Sequence, residues 1–191
     1  MATEDKKTKI INAALKLFST QGFHQTTVSE IAERANVAKG TVYWYFDSKE
    51  QLFEAILITE INKTRSKTAT KVKKLDDPIA KLEVVIKSHL QFYNQARDVA
   101  KMYRESTITI REEFKEKMLA LHQEQIDFLI EIIKLGQKKE IFSQEINLED
   151  TAYLINGMLN SFHPHIHNQK EFEITNKLES TKSLLFNGLL A

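Results

Sequence analysis

Between Val37 and Glu50 the chain reads VAKGTVYWYFDSKE, a stretch whose residue types suit contact with a nucleic acid. In a helical segment Val42 and Phe46, four apart, share a buried face with Val37 near its start. Lys39 with Tyr43, and Gly40 with Trp44, then form the opposite, outward face. Lysine can donate to guanine O6 and N7, aromatic rings can pack on thymine methyl groups, and the hydroxyls of Thr41 and Tyr43 can bond phosphate oxygens. Gly40 lets the backbone approach base edges, offsetting the roughly 1 kcal/mol that glycine costs a helix relative to alanine. The major groove, about 12 Å wide, admits one such helix. Thr27 and Lys49 stand at the starts of the preceding and following helices, where helix dipoles favour phosphate. The competing reading gives the aromatic residues to a small core and leaves the lysines as ordinary solvated charges.

One other cluster invites a chemical reading. His163, His165 and His167 alternate through HPHIH and could converge on zinc from an extended segment. Pro164 argues against a helix there, and no acidic residue is placed to complete a site, so a polar loop at a helix end is the preferred reading. There is no phosphate-binding glycine-rich loop, nucleophile elbow or HExxH. With no cysteine, thiolate chemistry and disulfides are excluded. The expectation is a non-enzyme with no cofactor and no metal.

The elements that must present the Val37 to Glu50 segment are helical. Ile10, Ile11, Ala14, Leu15 and Phe18 predict a first amphipathic helix from about Asp5 to Thr20, stopped by Gly22. Thr27 and Glu30 form a capping box for a second helix of about two turns, with Val28, Ile31, Ala32 and Ala35 on its apolar face. Asn36, which tolerates the left-handed conformation, is the expected turn residue. A third helix spans Ala38 to Phe46, and the succession reads as a helix-turn-helix.

Ser48 with Gln51, or Asp47 with Glu50 as an overlapping alternative, caps a fourth helix of residues 49–73, apolar through Leu52, Phe53, Ile56, Leu57 and Ile61 and basic in its far half. Asp77 and Pro78 start a fifth, the aspartate as N-cap and the proline where its missing N–H costs nothing. Further helices are expected around Val99 to Thr107, Arg111 to Lys138, Asn147 to Phe162 and Glu171 to Leu190.

Five glycines and two prolines in 191 residues favour an all-helical chain over a sheet protein. The apolar runs are too short to cross a bilayer, and the opening MATEDKKTK has no apolar core of a signal peptide, so a cytoplasmic location is expected. The net charge of +1 conceals an asymmetry. Residues 1–75 hold 13 lysines and arginines against 8 acidic residues, and the remaining 116 hold 14 against 18. A basic first third suits a polyanionic partner.

The span from about Lys9 to Leu57, with GFHQTTVSEIAERANVAKGTVYWYFDSKEQLFEAI at its centre, resembles the DNA-binding domain of TetR-type transcriptional regulators. Its Gly-Phe, Thr-Thr, Ile-Ala, Lys-Gly-Thr-x-Tyr-x-Tyr-Phe and Ser-Lys-Glu-x-Leu elements fall in order over about 50 residues. The resemblance implies an all-α homodimer of about nine helices per chain. A three-helix DNA-binding domain, residues 1–48, would precede an effector-binding and dimerising helical bundle, residues 49–191. By position, Thr27, Thr41 and Tyr45 fall on phosphate-contacting places and Lys39, Gly40, Tyr43 and Trp44 on places that approach bases or neighbouring phosphates. Lys49 falls on the phosphate contact that opens the fourth helix. Ala38 departs from the pattern, standing where serine or threonine commonly caps the recognition helix.

The resemblance also implies an effector pocket, for which Phe92, Tyr93, Met102, Tyr103, Phe114, Met118 and His122 are candidates toward an apolar or aromatic ligand. At helical spacing such residues also make ordinary core. In the last two helices Leu148, Ala152, Ile155, Leu159, Phe162, Leu178, Leu185 and Leu189 are the candidates for a four-helix dimer interface, with Gly157 permitting close approach. The expected function is a repressor that binds a palindromic operator in double-stranded DNA as a dimer and is released by a small effector. The alternative is a helical small-molecule or metal-binding protein, through His163, His165 and His167, that does not bind DNA.

Overall fold

A computed structural model describes residues 2–95, 111–161 and 174–189, with the side chains of residues 2–5 and 93–95 excepted. The described residues form eight helices and no strand: α1 (Ala2–Gln21), α2 (Val28–Arg34), α3 (Lys39–Tyr45), α4 (Lys49–Val72), α5 (Pro78–Gln95), α6 (Glu112–Lys138), α7 (Leu148–Asn160) and α8 (Ile174–Leu189). None is long and apolar enough to cross a membrane. The expected helix at Val99 to Thr107, Met102, Tyr103, Phe162 and the three histidines at 163, 165 and 167 lie outside the described residues.

By its packing the chain divides into two units inside α4, between Lys63 and Thr64, whereas the sequence reading set the boundary at the start of that helix. The reason is packing. Leu52, Phe53 and Ile56 of α4 are each only 1% exposed and belong to the N-terminal core, so the first turns of the linking helix cannot be separated from it.

In the N-terminal unit that core is made by Ile10, Ile11, Ala14 and Phe18 of α1, Ile31 and Ala32 of α2, Val42 of α3 and the start of α4, with Phe23 between α1 and α2. Phe18, Phe23 and Phe53 bring one ring from each of three segments together, with centroids 5.2 to 6.4 Å apart. Such aromatic pairs stabilise by about 0.5–1.5 kcal/mol beyond their area burial. The chain turns between helices by residues with left-handed backbones, Gly22 at φ 88° and Asn36 at φ 54°. A non-glycine residue accepts that region most readily when it is asparagine, and it is Asn36 that ends the α2 turn.

The second unit is built on Leu82, Val85, Ile86 and Leu90 of α5, Ile126, Leu129, Ile132 and Ile133 of α6, and the inward faces of α7 and α8. The Asp77 carboxylate accepts the Ile79 and Ala80 N–H groups, as an N-cap before Pro78 should. The link from α6 to α7 folds back on itself. The Ile141 N–H bonds to Gly136 O at 3.0 Å, Phe142 is fully buried beside Gly136, and the Gln137 amide donates to Ser143 O and Ile146 O.

The residues expected at the dimer interface take part in this packing. Ala152, Ile155, Leu159, Leu185 and Leu189 are buried in the protomer's own core, and Leu148 and Leu178 pack against it. The apolar residues that α7 and α8 leave in solvent are their neighbours Tyr153, Leu154 and Leu184, the last two 72% and 71% exposed.

Candidate nucleic-acid interface

The α2–turn–α3 segment is held by local rules. Thr27 caps α2: its hydroxyl accepts the Glu30 N–H, and the Glu30 carboxylate accepts the Thr27 N–H at 2.7 Å and the Thr27 O–H at 2.8 Å. The Gln21 amide adds a third donor to that carboxylate. These bonds favour the ionised form and lower the Glu30 pKa below its ordinary 4.5. The Val37 N–H closes the turn on Ala32 O at 3.0 Å, and Ala35 N–H bonds to Ile31 O at 2.9 Å.

On α3, Val42 is 2% exposed and Phe46, at its C-terminal end, 4%, and both anchor in the core. Lys39, Gly40, Tyr43 and Trp44 are exposed, Tyr43 at 49% and Trp44 at 71%, while Thr41 and Tyr45 are half-buried. Trp44 stands edge-on to Tyr45 with centroids 4.6 Å apart. An indole left mostly in water is an unfavourable use of the largest apolar side chain unless a partner covers it. No atom lies within 4 Å of a Cβ built on Gly40, so the helix surface there is open to close approach. Ala38 has the extended backbone of an N-cap, φ −67° and ψ 145°, yet no side chain to bond the first turn.

Two of the residues expected at phosphate, Lys49 and Thr27, also make contacts within the protein. The Lys49 ammonium donates to Phe23 O at 2.7 Å and Thr26 O at 3.0 Å and lies 4.4 Å from the centroid of the Phe23 ring. These contacts tie the α1–α2 connection to the start of α4. Burial of the ammonium lowers its pKa, partly offset by the charge of Glu50. Sequence reasoning missed this because Lys49 is 26 and 23 residues from the carbonyls it binds. The Thr27 hydroxyl hydrogen is likewise committed to Glu30.

Among the effector-pocket candidates, Phe114, Met118 and His122 share one face of α6, and their exposure increases from buried to exposed along it. Phe92 on α5 is half-buried, and the Tyr93 side chain is not described. A residue not foreseen joins them. Asn156 of α7 is 4% exposed and its amide lies 3.4 Å from His122 Nδ1, with the Tyr153 ring 6.1 Å from the imidazole. The signal was present, since Asn156 is a polar residue beside Ile155 and four after Ala152 in the apolar stripe. Among the described residues no cluster of three His, Asp or Glu could hold a metal ion.

Residues 10–56 match the family of bacterial regulatory proteins of the tetR type, and residues 75–164 match the tetracyclin repressor-like C-terminal domain. The chain belongs to the TetR family. It is a DNA-binding transcriptional regulator of that family. Regulators of this family bind DNA and small-molecule effectors, and dimerisation is typical of them.

The TetR-family chain is 24% identical over 188 residues to a fatty acid metabolism regulator protein of Bacillus subtilis, covering 96% of this chain and 95% of that one. It is 30% identical over 163 residues to the HTH-type transcriptional regulator YuxN of the same organism, with 81% of this chain matched, and spans 53% of that relative's length. Among solved structures, the Bacillus subtilis transcriptional regulator FadR in complex with stearoyl-CoA superposes with a TM-score of 0.76 at 22% identity, covering 95% of this chain and 98% of that one. At that identity the superposition speaks to the fold.

Proposed function

We propose that this regulator binds a palindromic operator as a homodimer, reads it with α3, and is released by a long-chain acyl-CoA. The observation that carries the DNA reading is the exposed Lys39, Tyr43 and Trp44 face on a helix whose other side is locked by Val42 and Phe46. Two such helices about 34 to 36 Å apart would enter successive major-groove faces. Lys39→Ala and Tyr43→Ala should each weaken an electrophoretic shift at least tenfold while leaving the dimer intact. An unchanged shift would overturn the assignment of this face.

The interface between copies is formed by the faces that α7 and α8 leave exposed. Tyr153, Leu154 and Gly157 share one face of α7, and Leu184 and Gly188 one face of α8; nothing lies within 4 Å of a Cβ built on either glycine. Large apolar residues beside glycines allow close helix approach. Leu154→Asp with Leu184→Asp should give a folded monomer by light scattering, whereas a dimer of unchanged affinity would refute this placement.

Support for the acyl-CoA effector is the end-to-end match to a fatty acid metabolism regulator, together with the apolar character of the C-terminal unit. The effector must bind the DNA-free conformation more tightly than the DNA-bound one, because a ligand with equal affinity for both shifts nothing. Stearoyl-CoA at micromolar concentration should raise the melting temperature and abolish the DNA shift. If stearoyl-CoA does neither, the effector belongs to another chemical class, and the DNA reading stands on its own test.

A further inference from the structure

The apolar face of α1 runs through Ile11, Ala14 and Phe18, all buried. One turn earlier the same face carries Lys7, where an apolar residue would continue the stripe. Lys7 is exposed, and its ammonium lies 5.9 Å from the centroid of the Phe46 ring, at the C-terminal end of α3. Rings then continue from Phe46 to Tyr45 at 6.3 Å and on to the exposed Trp44 at 4.6 Å. Among the described residues Lys7 has no carboxylate partner. The last turn of α3 contains no basic residue of its own, while its first turn contributes Lys39. The positive charge at the Trp44 end of the reading face is therefore brought in from another helix.

We propose that Lys7 is a phosphate clamp: it binds the DNA backbone beside the C-terminal end of α3, as Lys39 serves its beginning. A helix lying in the major groove has a phosphate strand on each side, and a cation is needed at both ends to fix its register. The inference rests on the DNA reading above and adds a contact that the α2 and α3 residues do not supply.

The test is a salt titration of binding by the full-length chain, using fluorescence anisotropy on a duplex selected by the protein from random sequence and on an unrelated duplex. Each phosphate contact contributes about 0.9 to the slope of log K against log[salt]. Lys7→Gln should lower the slope by about two per dimer, so that its deficit against the unmodified protein shrinks about tenfold between about 50 and 200 mM salt. The loss should be equal on both duplexes, because a phosphate contact carries no sequence information. Lys7→Arg should restore the slope. Lys16→Gln, the same charge change about 13 Å further along the helix, should leave it unchanged. A Lys7→Gln protein with the original slope and affinity overturns the proposal. An unmodified protein that binds neither duplex at low salt defeats the DNA reading itself, and this inference with it.

Discussion

Replacing Lys49 by methionine keeps the aliphatic stem over Phe23 and deletes the donors to Phe23 O and Thr26 O. Hydrogen bonds to a charged group contribute about 1.5–3 kcal/mol each, and a cation over an aromatic face about 0.5–1 kcal/mol at a wet site. Against this stands the desolvation of the ammonium, which is what lowers its pKa and which the methionine does not suffer. Lys49 is half-buried, so water can reach both carbonyls after the change, and the net loss should be about 2 kcal/mol.

Trp44 is the only tryptophan of the chain and lies in the N-terminal unit, so its fluorescence in a urea titration reads the unit that Lys49 braces. The salt dependence of DNA binding supplies the second axis. A brace predicts a lower urea midpoint with the salt slope intact, whereas a phosphate contact predicts an unchanged midpoint with the slope reduced by about one per subunit. The pH dependence has a definite sign. A folded-state pKa below 10.5 means the unfolded chain binds more protons in that interval, so this group adds relative stability as pH rises toward 10.5. Lys49→Met should lack that rise. A variant with full stability and a reduced salt slope would refute the brace.

Ala38→Ser should restore the missing cap of α3 and raise the stability read by Trp44 fluorescence by about 1 kcal/mol, since the backbone at Ala38 is already extended. The Glu30 carboxylate contributes stability that is present above pH 4.5 and lost as pH falls through its depressed folded value; Glu30→Gln should remove that acid sensitivity in a helix-signal titration. In the C-terminal unit, a methyl group on Gly136 would overlap the Phe142 ring, so Gly136→Ala should destabilise by about 1–3 kcal/mol in thermal unfolding followed by circular dichroism.

What could be read in the chain was whatever is decided within one or two helical turns. The Thr27–Glu30 box, the left-handed Asn36, the Asp77–Pro78 start and the Val42 and Phe46 anchors depend on residues a few positions apart, and all stand in the structure as expected. What could not be read depends on which distant segment supplies the partner. Lys49 at a helix start has the same sequence signature whether its ammonium meets a phosphate or a carbonyl from the α1–α2 connection. On α7 and α8 the apolar stripe marked the buried residues correctly but not what buries them. Ile155 and Leu154 are adjacent and equally apolar, yet the first is 2% exposed and the second 72%, because the helix packs one side against α5 and α6. Periodicity finds the stripe facing the protomer's own core first, and the interface between copies must then be sought in the apolar residues left over.

α4 contributes residues to the cores of both units. Its first turns give Leu52, Phe53 and Ile56 to the N-terminal core, and its end gives Val72 to the C-terminal one. Between them the helix is largely polar, so it stays continuous without belonging wholly to either unit. Cores packed at crystal density do not deform smoothly, so a ligand that shifts the Val72 end must either be absorbed by bending in the polar stretch or reach the Leu52 end. At that end Lys49 holds the carbonyls of Phe23 and Thr26, and Thr26 immediately precedes the cap of α2. Displacement of α4 would thus be handed to the helix pair that carries the reading face by Leu52, Phe53 and Ile56 through the core and by Lys49 through its two carbonyls. Lys49→Met should accordingly loosen the link between stearoyl-CoA and DNA, leaving a variant that still binds the effector and is no longer fully released. Complete release of that variant at the unmodified protein's effector concentration would show that the signal travels by another route.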